Sequence, residues 1–242
     1  MVKLCQMSKP IFTLVHPNDT RKLCSFNVHN ELFGDLTVTT REYNDGINRF
    51  ITELKNKPGK LFGKEIFSLE QNSDNMFGYF MEVGQEYRNK NFRFGEILRL
   101  SSIIEMIENK IKTLNIYSKD TAIYFHSKYK FKPDIHQFDT RNKALESIIN
   151  NPQKGFETFV EKAVEILKKI KNTDSPELQR TLRNDTNILT REYLQQVLKT
   201  EGSRNTHPFD YGMDMTLTRE TILENKDFFN ALFKKHGIDY EI

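Results

Sequence analysis

Residues 76–98 read MFGYFMEVGQEYRNKNFRFGEIL, and their order of character sets the fold class. Residues 76–83 are a short apolar and aromatic run, the composition of a strand. The next eleven residues are polar and basic. From Gly95 onward Ile97, Leu98, Leu100, Ser101, Ile104 and Ile107 recur at helical spacing as far as Ile111. Strand, basic loop and helix therefore follow one another. Residues 114–117 supply another short strand, and residues 121–129 a short helix with Ala122, Phe125 and Tyr129 on one side. Phe131 opens a further strand.

Working upstream, residues 65–71 also have strand character, and Asn72, Ser73, Asp74 and Asn75 make a polar turn into the run at 76, which predicts a β-hairpin. Before it, Thr39 and Glu42 have capping-box spacing ahead of Ile47, Phe50, Ile51 and Leu54, so a helix is predicted over about 40–56, stopped by Pro58 and Gly59. Downstream of Pro133 the chain reads as helices without strands: 141–149, 154–171, 175–183, 190–199 and 226–236. Ser175 and Pro176 open the third, and Gly202 and Gly237 follow the fourth and the last. Residues 202–215 read as a loop. The expectation is an α/β (α+β) chain with a mixed, largely antiparallel sheet over residues 1–135 and an all-helical extension over 136–242.

Two segments resemble the GNAT superfamily of acyl-CoA-dependent N-acetyltransferases across roughly the first 135 residues. Residues 83–98 are similar to that family's strand, Q/R-x-x-G-x-G/A loop and helix. One register sets Gly95 on the second glycine, Lys90 on the leading basic residue and Arg93 on the first glycine. Another, Arg88-x-x-Asn91-x-Arg93, keeps the family's Tyr-Arg opening and loses both glycines; the first is preferred. Residues 121–131 resemble the family's A-x-x-F-Y-x-x-x-G-F segment, with Ala122, Phe125 and Phe131 aligned, His126 in place of the tyrosine and Lys130 in place of the glycine.

The resemblance implies a fold, a cofactor and a set of roles. Acetyl-CoA would be the co-substrate, its pyrophosphate on the backbone N–H groups of a helix N-terminus, where the helix dipole favours an anion. Met81, Val83, Lys90, Phe92, Arg93, Phe94, Gly95 and Glu96 are the implied cofactor-binding residues. His126 takes the role of the acid that protonates the departing thiolate, with Tyr124 as a second candidate, and Glu82 is the nearest carboxylate to act as base. The acceptor would be an amine on a small molecule or peptide. The alternative is a GNAT-like module that binds acyl-CoA or a protein without catalysis.

Composition narrows the classes further. The chain has 242 residues, 36 Lys and Arg against 33 Asp and Glu, and a net charge of +3 that is scattered rather than gathered, which argues against a nucleic-acid partner. Cys5 and Cys24 have no ligand-like spacing to each other or to histidine, so no metal site is expected. No run reaches the roughly 18 apolar residues of a membrane span, and residues 1–15 have no signal-peptide core, which points to the cytoplasm. Five amphipathic helices in the extension leave apolar faces that require cover, from the first part or from a second copy in a homodimer.

Overall fold

A computed structural model describes residues 7–15, 17, 19–43, 48–70, 73–88, 92–150, 155–200, 209 and 212–242. The fold is mixed α/β with a largely antiparallel sheet. The chain forms two compact units: residues 1–114 with 218–242, and residues 115–217.

The first unit is an antiparallel meander of six strands in chain order: β1 (Ile11–Leu14), β2 (Lys22–Asn30), β3 (Gly34–Tyr43), β4 (Arg49–Asn56), β5 (Leu61–Leu69) and β6 (Asn75–Val83). After the 3₁₀ turn Gln85–Tyr87 comes α1 (Phe94–Glu108), which lies across β2, β4, β5 and β6. The predicted hairpin of β5 and β6 and the predicted helix after Gly95 are both present. The chain then begins β7 (Thr113–Ser118), whose first residues return to the start of β6: the Lys112 and Thr113 amides donate to the Asp74 carbonyl at 2.8 and 3.0 Å. Two strands that start side by side need a crossover between them, and α1 is that crossover.

Among the described residues the helix expected over 40–56 is absent; β3 and β4 occupy 40–43 and 49–56. Leu36, Val38 and Thr40 are buried and alternate with more exposed Thr37, Thr39 and Arg41, the period of a strand. In β4, Phe50, Ile51, Thr52 and Leu54 are all buried, because both faces of this central strand are covered. Burial on both faces erases the alternation and leaves a spacing that imitates a helix.

Residues 218–242 complete the first unit with α6 (Arg219–Glu224) and α7 (Lys226–Lys235). The Arg219 amide donates to the Lys112 carbonyl at 2.8 Å, and the chain after α7 exchanges backbone bonds with Ser8 through Gly237 and Asp239, at 2.8 and 2.9 Å.

The second unit holds the rest of β7, then α2 (Ala122–Lys128), β8 (Lys132–Pro133), α3 (Phe138–Asn150), α4 (Glu157–Lys171), α5 (Pro176–Thr200) and β9 (Met213–Thr218), with strand order β7-β9-β8. The helices α3, α4 and α5 pack on one another. Two expectations change here. The segments 175–183 and 190–199 form one 25-residue helix. Thr186 fills the gap in its apolar stripe, buried with its hydroxyl donating to the Leu182 carbonyl at 2.8 Å. The loop expected over 202–215 gives way at Met213 to a strand, so the region after 136 is not wholly helical. Met213, Met215 and Leu217 are buried and alternate with half-buried Asp214, Thr216 and Thr218.

Candidate functional site

One group of candidate residues lies in the first unit, where β6 runs into α1. Along the β5–β6 ladder Ile66 faces Phe80 while Phe67 faces Gly78, so Tyr79 is an extra residue, a β-bulge. A bulge bends its strand and increases the local twist. Beyond it, Met81, Glu82 and Val83 stand opposite Glu65, Lys64 and Gly63. Gly63 is needed at this end, since a Cβ there would sit 2.8 Å from the Glu82 carbonyl oxygen.

Arg88 folds back on this strand end. Its Nε donates to the Val83 carbonyl at 2.9 Å and its Nη2 meets Glu82 Oε1 at 3.3 Å, with both side chains well exposed. Glu82 is thus the partner of an arginine, at the surface.

Both flanks of the basic loop are held by rings. Tyr87, Phe92 and Phe94 join Phe33 and Phe62 with centroids 5.0 to 6.1 Å apart, in mostly tilted or edge-to-face pairs, the arrangement the ring quadrupoles favour. Lys90 lies outside the described residues.

At the start of α1, Arg93 is the N-cap, with φ 58° and ψ 27° and no side-chain capping bond. The first helical bond runs from the Ile97 N–H to the Arg93 carbonyl at 3.1 Å, so the N–H groups ahead of it lie outside the helical ladder. Gly95 lies one residue inside the helix. Glu96, also in the first turn, points inward and is buried. Its Oε1 accepts from Lys235 Nζ at 2.5 Å and from His236 Nε2, both at the end of α7.

Farther along α1 a buried polar cluster meets the sheet, and nothing in the sequence reading singled it out. Arg99 and Glu65 form an ion pair at 2.9 Å, and the Ser102 hydroxyl donates to the other Glu65 oxygen. Glu105 is fully buried with no cation beside it. Its Oε1 accepts the Cys24 N–H at 3.0 Å, and burial pushes its carboxyl up to about 8. Burial likewise raises the Cys24 thiol. The available signal was the presence of Glu96, Arg99 and Glu105 in a helix apolar on every side, a pattern that buries its polar residues too.

A second group of candidate residues lies in the second unit. Tyr124 and His126 on α2 are both buried. Tyr124 packs on Phe209, with centroids 5.9 Å apart. The His126 imidazole packs against the rings of Phe125 and Phe131, at 5.2 and 5.4 Å, and its Nδ1 is 2.7 Å from the Ser118 hydroxyl at the end of β7. After α2, Lys130 adopts φ 69°.

Arg93 and Lys130 therefore share a feature. In both registers of the resemblance Arg93 stands where the GNAT family has a glycine, and Lys130 does so in the second segment. Both have the left-handed backbone that glycine adopts freely and other residues adopt at a cost.

No family model and no curated protein matches the sequence. Among solved structures, part of the chain is similar to the PaiA N-acetyltransferase of Thermoplasma acidophilum in complex with coenzyme A, with a TM-score of 0.33, 16% identity, and coverage of 38% of this chain and 57% of that one. GCN5 of Tetrahymena gives 0.33 and 17%, covering 37% and 55%. A GNAT family acetyltransferase from Elizabethkingia anophelis with acetyl-CoA bound gives 0.33 and 13%, covering 40% and 77%. The match spans little more than half the length of the first two, and these likenesses assign no activity. Among the described residues no helix is long and apolar enough to cross a membrane.

Proposed function

We propose that this protein is an N-acetyltransferase that moves an acetyl group from acetyl-CoA to a primary amine. The observation that carries this reading is the left-handed backbone of Arg93 and Lys130, each at a glycine position of the resembling family. It supports the resemblance in backbone geometry where side-chain identity has been lost.

The first turn of α1 offers N–H groups outside the helical ladder and the positive end of a 15-residue helix, which suits a pyrophosphate. Phe92, Phe94 and the exposed Arg93 flank it, and Met81 and Val83 are the strand residues assigned to the acyl end. The amine nitrogen attacks the thioester carbonyl carbon, forming C–N. The tetrahedral adduct then breaks C–S, and the sulfur leaves with the electron pair and takes a proton, for which the resemblance implies His126 as the donor. The proton shed by the amine goes to water or to a carboxylate. Because Glu82 is already paired with Arg88, water is the better acceptor. That same pairing is the observation in favour of the second reading, a GNAT-like protein that binds acyl-CoA without efficient transfer.

Calorimetric titration with coenzyme A, followed by a thiol-release assay with acetyl-CoA over amines, peptides and polyamines, tests both readings. Saturable binding with thiol release is expected. Binding without release under any acceptor selects the second reading, and no binding at millimolar coenzyme A overturns both.

A further inference from the structure

We infer that Ser118 is a positioning residue for His126, holding the proton of the neutral imidazole on Nδ1 so that Nε2 is the nitrogen that takes up and delivers protons. This rests on the assignment of His126 as proton donor. The two groups lie in one unit, on the end of β7 and on α2, with Ser118 Oγ 2.7 Å from Nδ1. Both residues are buried, at 1% and 8% exposure, so water competes little for this bond. Phe125 and Phe131 pack against the ring, and the Tyr129 and Phe131 amides donate to the His126 carbonyl at 2.9 and 3.2 Å, which fixes the backbone beneath it.

The direction of the hydrogen bond follows from the chemistry required. An imidazolium that gives its Nε2 proton to a thiolate is left with its remaining proton on Nδ1. The group facing Nδ1 must therefore accept, before and after transfer. A serine hydroxyl does so without adding charge, whereas a carboxylate there would favour the imidazolium and oppose proton release. Each cycle balances: the cleaved C–S bond leaves its electron pair on sulfur, the Nε2 proton moves to that sulfur, and Nε2 recovers a proton from solvent.

Two measurements test this. Nitrogen-15 NMR of the imidazole in the full chain should show the Nδ1–H tautomer when the ring is neutral, and Ser118→Ala should shift it toward Nε2–H while Ser118→Thr keeps it. An Nε2–H tautomer in the wild type overturns the inference, whatever the activity. Thiol release from acetyl-CoA with water as acceptor supplies the second readout. Here Ser118→Ala should lower kcat about tenfold and move the alkaline limb of the pH profile to lower pH, since a bond to the charged ring is lost. Ser118→Thr should restore both. In the double variant Ser118→Ala/His126→Ala the rate should match His126→Ala alone. An equal tenfold loss on the His126→Ala background would make Ser118 merely structural. If His126→Ala costs nothing, the assignment of His126 fails, and the tautomer measurement still decides what Ser118 does.

Discussion

Glu105→Gln probes the buried cluster under α1 through the pH dependence of stability. The carboxyl is fully buried, accepts the Cys24 N–H and has no cation at hand, and its pKa rises from the ordinary 4.5 to about 8. The folded state therefore keeps a proton that the unfolded chain releases, so stability falls as pH rises from about 4.5 and the loss is complete once pH passes about 8. At about 1.4 kcal/mol per unit, this shift corresponds to a loss on the order of 5 kcal/mol. Glutamine keeps an oxygen for the Cys24 N–H and cannot ionise. The variant should be within about 1 kcal/mol of the wild type at pH 5 and several kcal/mol more stable at pH 9. Other groups act on the same space: Glu65, Cys24 and the Thr40 hydroxyl from the sheet, and Glu108 of α1 through Cys24. The comparison at each pH is therefore between variant and wild type rather than of either alone. Urea unfolding followed by circular dichroism at pH 5, 7 and 9 provides it. A constant offset between the two proteins across that range would refute the reasoning.

Arg93→Gly and Lys130→Gly should each raise stability by about 0.5–1 kcal/mol, the relief of a left-handed backbone less the entropy glycine adds to the unfolded chain; a fall in thermal midpoint for either would show that its side chain contributes more than its backbone costs. Lys235→Met removes the ammonium group on buried Glu96. Because Lys235 is itself partly exposed, the cost should be about 1–2 kcal/mol by denaturant titration, and Glu96→Gln in the same chain should recover most of it. Phe94→Ala, at the centre of the aromatic cluster that holds the loop, should cost about 3–5 kcal/mol and weaken coenzyme A binding; full affinity in a folded variant would remove that cluster from the site.

The parts of the fold that were legible in the sequence are those where one local signal dominates. The β5–β6 hairpin has turn residues between apolar runs, and α1 has unbroken helical spacing. The 40–56 segment misled because β4 is covered on both faces and Thr39 and Glu42 matched a capping box by chance of spacing. The strand at 213–218 alternates cleanly, yet it follows a stretch rich in Gly, Asn and Pro that drew it into a loop. The candidate site was legible only as a pattern of residue types. That Arg93 and Lys130, set on glycine positions by the resemblance, have a left-handed backbone is a torsion-angle fact that residue identity conceals. The Glu65–Arg99–Glu105 cluster depends on strands and a helix meeting across long stretches of sequence. The Ser118 partner of His126 arises from a strand end turning back onto α2.

The bonds that tie Glu96 to Lys235 and His236 join residues 139 and 140 positions apart, and that from Tyr240 to Glu108 joins residues 132 apart. During synthesis the meander and α1 emerge early, but the residues that close over α1 arrive only after the entire second unit has been made. Until then the first turn of α1 carries a carboxylate without these partners. The first unit thus becomes complete late in translation, so a stop codon or a frameshift near residue 218 damages the unit that the meander began.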